Sequence, residues 1–233
     1  MATRPVFIPI YRTPYVATQI IDFSWVMGMA KSQARKRVIE LHNAANKEQL
    51  SNILEISTAS NTTLGISLSA FNLPVTINFG PENEPNIQTH SVETIYQSSK
   101  VGQYGGNKVG PHPEWLGLTG KEVKSKIKGT KMDSISLYRY GQNAWPPAPS
   151  ESFFTWLYIN GLMQQDGLIE KLAQYDGFTD IYFNPKKTTN CQARAAAQAV
   201  SMYKIGKIET IMTTRASYLQ FSKEHPSGQV GCS

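Results

Sequence analysis

The sequence predicts an α+β protein: a single, mainly helical domain over residues 1–222 with a few short strands, then a flexible tail at 223–233. Three observations carry this. Stretches with apolar residues at helical spacing dominate, and the extended stretches are short and broken by proline. No internal repeat divides the chain. A length of 233 residues, 40% hydrophobic and 10% aromatic, is enough for a real core in one domain.

Residues 4–10 and 15–25 read as extended, with Val, Ile, Phe and Trp between prolines. Residues 32–46 read as a helix, with Ser32 as N-cap and Val38, Leu41 and Ala45 at helical spacing. "NILEISTAS" reads as a strand, and "TLGISLSAFNL" leads into another, "PVTINF". Residues 80–90 form a Pro/Asn-rich loop, and "SVETIYQSSK" at 91–100 is a short helix. Residues 102–118 are irregular, "TGKEVKSKIKG" is a basic helix, "SISLYRYG" a strand and "NAWPPAPS" a turn. Ser150 can cap a helix through "ESFFTWLYINGLMQQ", and "LIEKLAQY" is a further helix. "FTDIYFNP" is extended. Asn190 can cap the Ala-rich helix "CQARAAAQAVSMYK", which Gly206 closes.

Composition excludes several classes. No apolar run approaches the roughly 20 residues that span a bilayer, so no membrane partner is expected. The N-terminus, with Pro5, Pro9 and Pro14, has no signal-peptide pattern. Cys191 and Cys232 form no CxxC, which suits a reducing, cytoplasmic setting. His42, His90, His112 and His225 are widely spaced, so neither metal nor cofactor is expected. The usual phosphate-loop, dinucleotide and nucleophile-elbow motifs are absent; "GGNKVG" at 105–110 is only a weak glycine loop. A net charge of +6 mildly favours an anionic partner.

Three stretches stand out. As a helix, 91–100 places Glu93, Tyr96, Gln97 and Lys100 within roughly 60° of one line. That face is either a solvated surface or the wall of an active site. A carboxylate there can transfer a proton, and a desolvated lysine can attack a sugar carbon. Tyr96 and Gln97 can position a sugar or base. In "SLSAFN", residues 67–72, Ser69 and Asn72 can hydrogen-bond a ribose while Phe71 stacks, or Phe71 can simply fill the core. In the third, Lys186 and Lys187 precede the helix at Asn190, where free N–H groups suit a phosphate; the bland reading is a capped helix with solvated lysines. A basic run at 121–131, including Lys121, Lys124 and Lys128, is either a solvated helix face or a DNA-backbone contact.

Together these stretches resemble the NADAR family. "SVETIYQSSK" is similar to its S-x-E-H-x-x-Q-x-x-K helix, and "LSAFN" resembles its upstream S-N-F loop. "FIP", "SQARKRVIELHNAA", "WPPAPSESFFTWLYINGL" and "YDGFTDIYFNPKKTTNCQARAAA" resemble a bacterial branch of antitoxins paired with DarT-type toxins that ADP-ribosylate guanosine in DNA. The resemblance covers most of residues 4–204. It implies an N-glycosidase that removes ADP-ribose from modified guanine, with ADP-ribosylated DNA or ADP-ribose as ligand and a DarT-type toxin as partner. By position, Glu93 matches the essential glutamate, Gln97 the motif glutamine, and Lys100 a lysine with a plausible Schiff-base role. Asp180 and Asn190 fall in the block that helps form the ligand pocket. The sequence departs from the pattern at Thr94, where the family has histidine, at Ala70, where it has asparagine, and at "YGGNKVGPHPEWLG". Two alternatives remain open: an N-glycosidase acting on a free phosphoribosylated metabolite, and a non-catalytic binder that neutralises a toxin by contact.

Overall fold

The computed structural model describes residues 1–186 and 188–226. Lys187, Cys232 and most of the predicted tail lie outside the described residues. The chain forms two compact units, residues 1–69 with 166 onward, and residues 70–165. Helices and sheets mix in both, so the α+β class holds, with more sheet than the few short strands expected.

The first unit is built on a four-stranded sheet. β1 (Ala2–Pro9) pairs antiparallel with β2 (Val16–Phe23) in the register Phe7↔Thr18. On its other side β1 meets β10 (Gly177–Thr179), Phe7 opposite Phe178, and β10 runs parallel to β3 (Ile53–Glu55). α1 (Lys31–Lys47) buries Ala34, Val38, Leu41 and Ala45 against Val6, Ile21 and Phe23. The i, i+4, i+7, i+11 spacing makes that stripe. The helix starts one residue before Ser32, after Ala30, without a side-chain cap.

α7 (Gln192–Lys204) packs an alanine face close to β1. Its N-cap is Cys191, buried and free, rather than Asn190. Gly206 follows it at φ +67°, the left-handed conformation that closes a helix. The short α2 (Thr63–Ser67) and α6 (Leu168–Leu172), with α8 (Ile208–Met212) and α9 (Arg215–Glu224), complete the unit. The tail expected from 223 therefore begins inside a helix. Thr214 caps α9 by accepting from the Ser217 N–H.

The second unit starts with a hairpin, β4 (Pro74–Asn78) and β5 (Ile87–Ser91), so part of the expected 80–90 loop is strand. β5 is half-exposed and polar, and cross-strand pairing rather than apolar alternation defines it. α3 (Val92–Ser98) follows directly. β6 (Lys100–Tyr104) and β7 (Asn107–Val109) form a second hairpin where irregular chain was expected. Gly105 and Gly106 turn it with φ +56° and +81°, the two positive values a tight hairpin demands.

α4 (Gly120–Gly129) is fixed by a capping box between Thr119 and Glu122. β8 (Ser134–Tyr140) and β9 (Asn143–Trp145) complete a sheet ordered β7-β6-β8-β9, so the predicted turn at 143–150 opens as a strand. α5 (Ser152–Met163) starts after Glu151, and the Ser150 hydroxyl donates to the Glu151 carboxylate at 3.1 Å. The core here is aromatic: Tyr96, Tyr138, Tyr140, Trp145 and Phe153 pack together, and the Trp145 indole donates to Ser152 Oγ at 2.9 Å.

Candidate active site in the second unit

α3 settles one alternative left open by the sequence. All seven of its residues are buried, Glu93 and Gln97 at 5% and 4% exposure, so this is no solvated helix face. Ser91 caps it by accepting from the Thr94 N–H. Its free first-turn donors are taken by the loop before β4: Val92 N–H bonds Leu73 O and Glu93 N–H bonds Ala70 O. The loop singled out from the sequence is thereby pinned beside Glu93.

The helix is shorter than expected. It ends at Ser98, and Lys100 opens β6 instead of completing the helical face. The two-turn helical spacing predicted between Glu93 and Lys100 does not exist. The two are electrostatic neighbours nonetheless. Lys100 Nζ sits over the Tyr96 ring, 4.7 Å from its centroid. Burial lowers the Lys100 pKa to about 8, with the Glu93 charge opposing the shift and Lys124 adding to it.

Glu93 is held by two donors on one oxygen. Gln97 Nε2 donates to Oε1 at 2.9 Å, and Lys124 Nζ pairs with the same atom at 3.1 Å. With its amide so oriented, the buried Gln97 Oε1 has no hydrogen-bond partner among the described residues. It is an unanswered acceptor on the side chain that holds Glu93.

Lys124 reaches Glu93 because α4 starts hard against α3. A Cβ on Gly120 would stand 3.0 Å from Ser91 Oγ, 3.2 Å from the Phe71 ring and 3.3 Å from Glu93 Cβ. Glycine makes that approach without crowding these side chains, and Lys124, four residues on, lies over the same face. Lys124, half-exposed, thus reaches in to the buried Glu93, whereas Lys121 and Lys128 are exposed on α4.

The other predicted residues separate. Phe71 is half-buried against Gly120, and Asn72 is exposed. Tyr96 is packed in the aromatic core with its hydroxyl 3.3 Å from that of Tyr138, so it seats Lys100 instead of presenting a free ring. Thr94 is buried, and its hydroxyl donates to Leu118 O at 3.2 Å.

Ser69, Asp180 and Asn190 belong to the first unit. Ser69 is buried, its hydroxyl without a hydrogen-bond partner among the described residues. Asp180 accepts from the Tyr182 N–H at 3.0 Å and from Gln192 Nε2 at 3.0 Å. Burial and then the charge of Glu55 raise its pKa. Asn190 donates its N–H to Thr188 Oγ1 at 3.2 Å, just before α7. Among the described residues, no three His, Cys, Asp or Glu side chains converge as metal ligands, and no helix is long and apolar enough to cross a membrane.

A buried carboxylate gripped by an amide and a lysine, with a second lysine of lowered pKa beside it, is an arrangement capable of acid–base and nucleophilic chemistry. A family model described as the DarT1-associated NADAR antitoxin matches residues 2–230. The chain belongs to that family of antitoxins, and a single family model spans both units. No curated protein matches the chain.

Proposed function

We propose that the protein is the antitoxin of a DarT-type pair and acts as an N-glycosidase, removing ADP-ribose from guanine bases in DNA. What supports this reading is the placing of a desolvated Lys100 near a Glu93 that is buried and held on α3. The amine of Lys100, neutral in sizeable fraction near pH 8, attacks C1 of the ribose attached to the guanine nitrogen. The C1–N bond breaks, its electrons go to the guanine nitrogen, and that nitrogen takes up a proton. Lys100 gives up a proton to form the C1–N bond to the enzyme. The C1–O4 bond then opens to a protonated imine, with O4 leaving as a hydroxyl. Water adds to the imine carbon, the lysine departs as the amine, and the released ADP-ribose closes its ring.

Glu93 stabilises the positive charge that develops at C1 and relays protons between amine, leaving base and water. Gln97 fixes the carboxylate and offers Oε1 to a ribose hydroxyl. Phe71 lies beside Glu93 where a base can stack. In the first unit, Asp180 and Asn190 remain candidate ligand contacts by family position and Ser69 by its place in the loop that resembles the family's; Lys187, outside the described residues, remains one as a basic residue ahead of a helix start. Guanosine-ADP-ribosylated DNA incubated with the purified protein should release ADP-ribose. Absence of release by correctly folded protein refutes the reading.

A further inference from the structure

The second unit contains a largely apolar cavity with a few polar groups, beyond the far end of α3 from Glu93. Its volume is about 230 Å³, and Phe79, Asn86, Ser99, Pro113, Arg139 and Tyr140 are among the residues that line it. Its floor is aromatic: Phe79 and Tyr140 are buried and meet edge to face, centroids 6.2 Å apart. Asn86 and Arg139 are exposed at its rim. The Arg139 N–H donates to Ser99 O at 2.6 Å, which fixes β8 against the end of α3. Ser99 is 1% exposed, and its hydroxyl has no hydrogen-bond partner among the described residues. A buried hydroxyl beside a cavity is free to answer a ligand's polar atom.

The volume falls below the roughly 300–1,000 Å³ of drug-sized sites, so the cavity suits one ring system, not an ADP-ribosyl group. An aromatic floor, a hydroxyl and an amide on the walls, and a guanidinium at the mouth match the parts of a nucleotide. The ring lies on the aromatics, its edge meets the polar groups, and its phosphate meets Arg139. Residues 100–139, the stretch that supplies Arg139, carry eight Lys and Arg against three Asp and Glu, so this part of the second unit favours a polyanion. Ser99 immediately precedes Lys100, which puts the cavity wall next to the reacting amine along the chain.

We propose that this cavity seats an unmodified nucleotide that flanks the modified one on a single strand of the DNA substrate. The proposal rests on reading α3 as the glycosidase site. A seat for the neighbour holds the strand while the modified base is presented, and it makes turnover depend on the flanking sequence.

The test uses a short, fluorescently labelled, unmodified single-stranded oligodeoxynucleotide, with binding followed by anisotropy. Arg139→Gln, at an exposed position, and Ser99→Ala, a near-isosteric change, should each weaken binding about tenfold. A deoxynucleoside monophosphate should displace the probe, and inorganic phosphate at the same concentration should not. KM for the modified oligonucleotide should rise in both variants, with kcat on a free ADP-ribosylated nucleoside held. Wild-type affinity in both variants overturns the proposal, and so does equal displacement by phosphate, which would mark a simple anion site. Binding that depends on Arg139 and Ser99, in a protein that releases no ADP-ribose, would keep the nucleotide seat and refute the glycosidase reading alone.

Discussion

Each unit buries carboxylates, and they are treated differently. In the first unit Glu55 accepts from Ser57 Oγ at 2.6 Å, Thr179 Oγ1 at 2.6 Å and the Ile181 N–H at 2.9 Å. Thr179 in turn meets His42 Nε2 at 2.9 Å, and burial lowers the His42 pKa to about 4, so the imidazole is neutral. Donors on short side chains and backbone answer both oxygens of Glu55. In the second unit Glu93 is gripped on one oxygen by an amide and by the end of a half-exposed lysine, with an unanswered amide oxygen beside it. A saturated cluster holds a fold in one state; a cluster with open acceptors and a long-armed partner is ready for a ligand. Residue type alone does not separate the two. The number and stiffness of the partners do.

The strongest way to break this comparison is Glu93→Gln. It keeps shape and removes charge and proton transfer, so turnover of modified DNA should fall on the order of 10²-fold or more. Circular dichroism and the unfolding midpoint should stay near wild type. A mutant that cleaves at wild-type rate would make Glu93 as structural as Glu55. Protection of cells by an inactive Glu93→Gln protein would instead favour neutralisation by contact.

The mirror experiment is Thr179→Val in the first unit. The substitution keeps volume and removes the hydroxyl shared by Glu55 and His42. Leaving buried groups unanswered should cost about 1–3 kcal/mol of stability in denaturant titration, with ADP-ribose release by the folded fraction unchanged. Lost turnover at intact stability would move this cluster from structure to chemistry.

Protonation sharpens the same contrast. Burial raises the Glu55 pKa, and burial together with the charge of Glu55 raises that of Asp180, so the folded chain retains a proton that the unfolded chain releases. This contribution to stability is complete below the ordinary carboxylate range and is lost as pH rises through the raised values. Between about pH 5 and 7.5, unfolding free energy should therefore decline with pH, and Asp180→Asn should flatten the slope. Lys100 adds the opposite slope only from about pH 8 upward, where the unfolded chain holds the proton longer than the folded one. A pH-independent wild type in the lower window would deny the shared proton.

Much of this was legible beforehand. The α1 stripe, the Ala-rich α7, the basic helix α4 and the shared face of Glu93 and Gln97 all follow from local spacing, which sequence records directly. What escaped was set by tertiary contact. β5 and β9 are strands because neighbours pair with them. Asn190 yields the N-cap position to Cys191 although its residue type suits a cap. Lys124 looked like any lysine of a basic run; its approach to Glu93 depends on Gly120 lying against Ser91 and Phe71, a long-range fact. Lys100 does stand near Glu93, but not by the helical geometry expected, since the helix stops at Ser98 and the chain turns into β6.

The smallest expected effect tests whether α4 divides its lysines between the two tasks. Lys124 pairs with Glu93, whereas Lys121 and Lys128 are exposed. Exposed lysines that contact phosphates add affinity through counterion release, with little regard to sequence. Reversing Lys121 and Lys128 to Glu should weaken binding of modified DNA and reduce its salt dependence by about one to two in the log–log slope. Turnover of a free ADP-ribosylated nucleoside, which has no strand to hold, should be unaffected. Lys124→Ala should do the reverse: it frees one hold on Glu93 and lowers turnover of strand and nucleoside alike, while the salt slope stays nearly constant. If the reversals and Lys124→Ala give the same pattern, α4 is a uniform basic face, and the special standing of Lys124 falls with it.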